Sequence, residues 1–115
     1  MTEADIFSLI GDLAGGQVYP YVAPLNAEGQ TAVSAPWIVF SIVSENFGDT
    51  LCGPAEETDS VQVDVYAKSP DEARAIREFV QNALAPLNFT QLNRTNGYES
   101  ETGLYRAMLE IQIQQ

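Results

Sequence analysis

Apolar residues recur at helical spacing near the beginning of the chain. Thr2 is a good N-cap residue, and Asp5, three positions later, completes a variant of the capping box. The apolar face that follows consists of Ile6, Leu9, Ile10 and Leu13. Gly15-Gly16 is a typical helix stop. The pattern therefore predicts a helix over about residues 3–14.

A second helix is predicted in the second half of the chain, and its start signals are stronger. Ser69 suits the N-cap, Pro70 suits the first helical position because no hydrogen bond needs its N–H there, and Glu72 completes a capping box. The apolar stripe of this helix comprises Ile76, Val80, Ala83, Leu84 and Leu87. Pro86 disfavours helical backbone in the residue before it, so we expect the helix to end near Ala85.

Extended structure is predicted in three places between the helices. Residues 18–22 contain Pro20, which cannot donate to a ladder, so they form an edge strand at best. Residues 37–44 are apolar on both faces at first, and residues 60–67 alternate with a period of two, which indicates a half-buried strand. Two long loops separate these strands, over residues 23–36 and 45–59.

A hairpin is predicted at the end of the chain, with strands at residues 89–95 and 104–113. Asn96-Gly97 is a strong signal for a tight turn, and a turn there would set Phe89 opposite Leu104. The rest of the last strand would then need another partner, for which the strand before the second helix is the natural candidate.

The order of these elements is helix, strand, strand, strand, helix, strand, strand. Neighbouring strands accompanied by two helices favour an α+β fold. We expect a mainly antiparallel sheet of about four strands plus a short edge strand, with both helices packed on one face. At 115 residues, the chain is expected to form a single domain over residues 1–115.

Charge adds a strong asymmetry to this picture. The formal net charge is −11, with 16 acidic residues, 5 basic residues and no histidine. Residues 1–67 hold no Lys or Arg, so almost all of the negative charge falls in the first half. Because this charge repels phosphate, general binding to nucleic acid is disfavoured. Three interpretations remain compatible with the acidic charge: a solvated acidic surface, a surface that DNA passes without sticking, and a mimic of DNA.

Residue types that carry chemistry are scarce. The absence of histidine excludes Ser-His-Asp and Cys-His catalysis and metal sites built on imidazole. Asp64 and Glu110 lie on the polar faces of strands that we expect to be neighbours, but nothing in the sequence indicates a pocket around them. We therefore expect no enzyme activity, no catalytic residues, no metal and no cofactor.

The loop at residues 45–59 is the best candidate for an interaction site. It contains five acidic residues and no basic one, and Phe47 and Leu51 are apolar residues within it. Such residues either fold back onto the domain or dock on a neighbouring subunit. Carboxylates can also hold Ca²⁺ or Mg²⁺, but their spacing here matches no EF-hand and favours a solvated loop. The predicted interaction residues are Phe47, Leu51, Glu56, Glu57 and Asp59.

Three stretches, in this order, resemble a known family. They are Val18-Tyr19-Pro20 after the first helix, Pro36 to Phe40 at the start of the main strand, and the segment from Val61 to Ala73 that leads from strand to capped helix. Together they resemble the tail-completion, or tail-terminator, proteins of long-tailed bacteriophages and prophages. The resemblance covers nearly the whole chain.

The resemblance implies a structural virion protein without catalytic residues. Such proteins form a ring, often a hexamer, which caps the tail tube and offers the surface that joins the filled head. The implied partners are further copies of the chain, the tail-tube protein and a head-closure or connector protein, while DNA passes without specific binding. No membrane or small-molecule substrate is implied. The implied location is the virion, with the host cytoplasm during assembly.

Two alternatives stay open at this point. The chain could be an acidic DNA mimic that inhibits a DNA-binding protein, which would require carboxylates in two rows at phosphate-like spacing. It could also be a small regulatory module that binds a ligand, which would require a concave pocket with convergent polar groups.

Overall fold

The computed structural model describes residues 1–48 and 57–114. Two helices and five strands form in these residues, with short 3₁₀ turns at Ala14–Gly16 and Ala85–Leu87. In chain order they are α1 (Glu3–Ile10), β1 (Val18–Pro20), β2 (Trp37–Phe47), β3 (Glu57–Ala67), α2 (Pro70–Ala83), β4 (Gln91–Glu99) and β5 (Leu104–Gln114). The predicted α+β class and element order are confirmed. None of the described helices is long and apolar enough to cross a membrane.

The strands form one sheet in the order β1-β2-β3-β5-β4. β1 pairs with β2 in parallel, and every other neighbouring pair is antiparallel. β5 lies between β4 and β3, which confirms that the last strand takes the strand before α2 as its second partner.

Both helices cover the same face of the sheet, as predicted. α1 contributes Ile6 and Ile10 to the core, and α2 contributes Ala73 and Val80. Because side chains alternate across a strand, one face of the sheet supplies the apolar residues that meet the helices. These are Ile38, Phe40, Val61, Val63, Val65, Ala67, Ala107, Leu109, Ile111 and Ile113.

The opposite face is covered only in part. Trp37 stacks on Tyr66 with ring centroids 5.2 Å apart, and Ala23 and Leu104 are buried in the same small cluster. The predicted loop at residues 23–36 supplies part of this cover, so it packs on the sheet and does not only run over the surface.

The start of α2 follows the sequence signals closely. The Ser69 hydroxyl accepts a hydrogen bond from the backbone N–H of Glu72 at 3.1 Å, and Pro70 is the first helical residue. In α1, the backbone N–H of Thr2 donates to the carboxylate of Asp5 at 2.9 Å. Local caps therefore set where both helices begin.

The end of α1 differs from the prediction, because the helix stops at Ile10 and does not continue to residue 14. Gly11 follows the last helical residue, and glycine is a poor helix former. Farther on, Ala14 and Gly15 have positive φ angles of 51° and 65°, which are incompatible with a continuing α-helix.

The predicted hairpin turn at Asn96-Gly97 is wrong. Both residues lie within β4, where Gly97 pairs with Arg106, and the chain turns between Glu99 and Leu104. Gly103 in that turn has a φ of 71° and donates its N–H to the Glu99 carbonyl at 2.8 Å. A turn at Asn96 would leave much of the outer side of β5 without a partner strand, and continuous pairing of β4 with β5 prevails over the local turn signal.

The predicted loop at residues 45–59 is shorter than expected. Its first residues continue β2 to Phe47, and its last residues begin β3 at Glu57. Residues 45–47 and 57–59 pair with each other across the two strands, so the polar sequence does not stop the ladder. The two strands thus extend beyond the part of the sheet that is apolar on one face.

Candidate functional site

A β-bulge in β2 decides which acidic side chains meet at the far end of the sheet. Ile42 pairs with Val61 but Ser44 pairs with Ser60, so Val43 is an extra residue in β2. Before the bulge the even-numbered residues of β2 face the helices, and after it the odd-numbered residues do. The bulge therefore turns the Glu45 side chain to the helix-covered face.

Three carboxylates meet on that face. Glu45 stands opposite Asp59, and Glu57 lies two residues before Asp59 on β3, on the same face. One ligand oxygen from each lies within 4.8 Å of the others. Burial, followed by the negative charge of Asp59, raises the pKa of Glu57. We call this group the acidic cluster, and the same end of the sheet also carries Phe47.

Asp59 is the unusual member of the acidic cluster. It is fully buried, and neither carboxylate oxygen accepts a hydrogen bond. The amino nitrogen of Met1 lies 3.9 Å from its Oδ2 atom, within the range of an ion pair but beyond that of a hydrogen bond. A buried carboxylate in a folded protein normally accepts several hydrogen bonds, so this one lacks its usual partners.

The five residues predicted as an interaction site have different environments. Phe47 is 64% exposed, and Glu57 is half-buried beside it. Asp59 is buried, so it is not part of a solvated loop and offers no surface to a partner. Leu51 and Glu56 lie outside the described residues. Glu45 is not among the predicted residues, and it joins the group because of the bulge at Val43. No local sequence signal predicts that bulge.

Positive charge gathers elsewhere on the helix-covered face, between α2 and β4. Arg77 is 5% exposed, and its Nη1 atom donates to the Thr95 carbonyl at 2.9 Å, to Asn96 Oδ1 at 3.0 Å and to the Met108 carbonyl at 3.4 Å. Its Nε atom is buried without a partner. Burial, and then the nearby charge of Arg94, lower the pKa of Arg77.

A groove of about 360 Å³ lies next to Asn96, and we call it the arginine groove because Arg74 and Arg106 line it. Arg74 lines it from α2, and Tyr98 and Tyr105 line it from the hairpin, with their ring centroids 4.9 Å apart. Arg74 is 56% exposed and only weakly held by Asp71, at 3.9 Å. The groove thus combines exposed positive charge with aromatic surface, a combination that is favoured in protein interfaces.

Among the described residues, Asp64 and Glu110 on the partly covered face form no comparable site. Asp64 pairs with Met108 and Glu110 pairs with Gln62, so the two acids stand diagonally across neighbouring strands. The Gln62 amide donates to Asp64 at 3.1 Å. Burial raises the pKa of Asp64, while that hydrogen bond and the charge of Arg106 lower it by less.

Comparison with known proteins gives one family. A family model described as "Tail completion protein gp17" matches residues 8–114. No curated protein sequence matches the chain significantly.

A solved structure shares the fold. It is a chain from the virion of a native gene transfer agent particle, with 16% sequence identity and a TM-score of 0.60. The match covers 98% of this chain and 85% of that chain. At this level of identity the likeness establishes the arrangement of helices and strands.

Proposed function

This chain belongs to the tail completion protein gp17 family, and from that premise we propose that it caps a phage tail tube and helps to join the tail to the head. The observation that carries the proposal is the family match over residues 8–114, which leaves out only the first seven residues and the last one. The role is structural and requires no catalysis. A single domain over residues 1–115 performs it.

We propose that the protein works as a homo-oligomeric ring, with six subunits as the expected number. A closed ring needs two different, complementary patches on each subunit, because every contact is head-to-tail. The described residues offer such a pair: the end of the β2–β3 hairpin carries negative charge and an exposed aromatic ring, and the arginine groove carries positive charge and aromatic walls.

The two patches lie on separate parts of the molecule. The strand register places the groove level with Val65, eight residues along β3 from Glu57, or about 26 Å at the usual rise per residue. They are also at different sheet positions, since β2 and β4 are separated by β3 and β5. One subunit therefore cannot satisfy both patches by itself, while a neighbouring copy can.

Within this contact we assign the predicted interaction residues different roles. Phe47 enters the groove of the next subunit, and Glu57 faces its exposed Arg74. Leu51 and Glu56, which lie between β2 and β3 in the sequence, are proposed to extend the contact. Asp59 lies beneath the contact surface and supports it from within.

The remaining partners follow from the position of such a ring. We propose contacts with the tail-tube protein on one side and a head-closure or connector protein on the other, in a virion that assembles in the host cytoplasm. Part of the acidic first half lines the bore, so that DNA passes without the counterion release that drives adhesion to basic surfaces.

Complementation of a gene deletion tests this function. We expect lysates that lack the chain to contain filled heads and separate tails by electron microscopy. Addition of the purified protein should restore joined particles. Complete, infectious particles in the absence of the chain would contradict the proposal, and so would separate heads and tails that the purified protein does not join.

A further inference from the structure

The three carboxylates of the acidic cluster have the spacing of ligands on one metal ion. An oxygen from each of Glu45, Glu57 and Asp59 lies within 4.8 Å of the other two. Calcium binds oxygen at about 2.3–2.6 Å, so two oxygens on opposite sides of one ion are about 5 Å apart at most. The cluster therefore fits around a single cation with little movement of the side chains.

The burial of Asp59 is a separate reason to expect a ligand. The side chain is fully buried and points into the cluster, but no group in the described residues donates a hydrogen bond to it. Transfer of an ionised carboxylate from water to such a place is costly unless a charge or hydrogen bonds compensate. A directly bound cation supplies that compensation.

The charges near the cluster leave room for such an ion. The Met1 amino group is the only cation with an ion pair to the cluster among the residues that the structure describes, and it lies 3.9 Å from one oxygen of Asp59. It balances one of the three negative charges. Two remain, which equals the charge of a divalent cation.

We propose that Glu45, Glu57 and Asp59 form a binding site for a hard divalent cation, with Ca²⁺ as the preferred ion. Ca²⁺ favours carboxylate oxygens in flexible geometry, and the exposure of Glu45 leaves positions for water. The bulge at Val43 gives the site its third ligand, since without it Glu45 would lie on the opposite face. The ion joins the end of β2 to the beginning of β3.

Calorimetric titration of the full chain, with any affinity tag at its C-terminus, tests the site. CaCl₂ and MgCl₂ are titrated separately into protein freed of metal with EDTA. We expect one Ca²⁺ per chain with a Kd of about 10⁻⁵–10⁻³ M. Glu45→Gln, at an exposed position that tolerates change, should weaken binding at least tenfold, and Asp59→Asn should abolish it. Mg²⁺ binding that depends on the same residues would also support a hard-cation site.

The matched control is Glu28→Gln, which removes an exposed carboxylate far along the chain from the cluster and should leave binding unchanged. Absence of binding by the unaltered chain at 10-fold above the weakest expected Kd would overturn the proposal. Equal weakening by Glu45→Gln and Glu28→Gln would also overturn it, because binding would then reflect only the overall negative charge.

Discussion

Arg77 and Asp59 are both buried charged residues, and they differ in the hydrogen bonds that the surrounding residues make to them. Arg77 donates three hydrogen bonds to the hairpin, to two backbone carbonyls and to Asn96. Asp59 is more deeply buried and accepts none. The fold thus provides hydrogen-bond partners for the Arg77 guanidinium. It leaves the Asp59 carboxylate to be compensated by a terminal amino group or by a bound ion.

The difference separates two kinds of buried charge. Arg77 joins α2 to β4 and β5 through its Nη1 atom, so the fold itself supplies hydrogen-bond partners for this charge, except at the buried Nε atom. Asp59 lies where β2 and β3 extend past the apolar core, next to a surface that we assign to assembly. We infer that Asp59, whose carboxylate oxygens accept no hydrogen bond, lies where a bound ion or a neighbouring subunit completes the structure.

The largest effect should come from removing the charge that the fold satisfies itself. Arg77→Leu loses three hydrogen bonds from a charged donor, and we expect a loss of about 3 kcal/mol in the free energy of unfolding. Urea denaturation measures it. The exposed Arg74→Leu should change stability by less than about 0.5 kcal/mol. Equal losses for the two variants would show that the bonds of Arg77 contribute nothing specific.

The second prediction concerns the charge that the fold leaves unsatisfied. At a Ca²⁺ concentration 100 times the Kd, binding should raise the free energy of unfolding by about 2.7 kcal/mol. Asp59→Asn should remove this increase, whereas Arg77→Leu should keep it on a less stable protein. Thermal or urea unfolding with Ca²⁺ and with EDTA measures both. An increase that survives in Asp59→Asn would place the ion elsewhere.

The third prediction tests whether the two charged regions meet between subunits. Phe47→Ser should weaken self-association at least tenfold by analytical ultracentrifugation, because an aromatic anchor is lost, while the stability of the subunit stays within about 0.5 kcal/mol. Phe79→Ser is the control, since Phe79 is similarly exposed, at 61%, but lies five residues after Arg74 on α2, about 140° around the helix from it. Equal effects of the two variants would argue against the assigned contact.

Charge reversal sharpens the same test. With EDTA present, so that loss of a cation ligand does not contribute, Glu57→Lys should weaken association, and combination with Arg74→Glu should restore part of it, because the two opposite charges then attract again. If the double variant associates no better than the single variants, the two residues do not face each other in the ring.

The smallest effect is expected at Asp64, a half-buried carboxylate that is partly satisfied. Because burial raises its pKa above the ordinary value of 3.8, its contribution to stability is fully present below that pH and is lost as the pH rises through the folded-state pKa. Asp64→Asn should therefore be slightly more stable than the unaltered protein at pH 7, by no more than about 0.5 kcal/mol, and equal to it at pH 3. A stability gain that is the same at both pH values would exclude ionisation as the cause.

The sequence predicts what is decided locally. Ser69, Pro70 and Glu72 lie within four residues of each other, and the Ser69 cap on the Glu72 backbone N–H and the place of Pro70 as the first helical residue occur as expected. The period of two in β3 likewise predicts its buried face, because each side chain's direction follows from its neighbours along the strand. The family resemblance, which rests in part on the stretch from β3 to this cap, is confirmed by the family match.

What the sequence does not reveal depends on pairing between distant residues. Asn96-Gly97 is a good turn by itself, but β4 pairs continuously with β5 through it. The position of Glu45 opposite Asp59 depends on an extra residue at Val43, and only the register of β2 against β3 determines that. The acidic cluster could not be predicted for this reason: the sequence shows the three carboxylates but not the strand register that brings them together.

Cryo-electron microscopy of the assembled particle would show the proposed ring itself. We expect a ring of this chain where the tail tube meets the head, with Phe47 of each subunit in the arginine groove of the next. A particle whose head–tail junction is complete and contains no copy of the chain would contradict it.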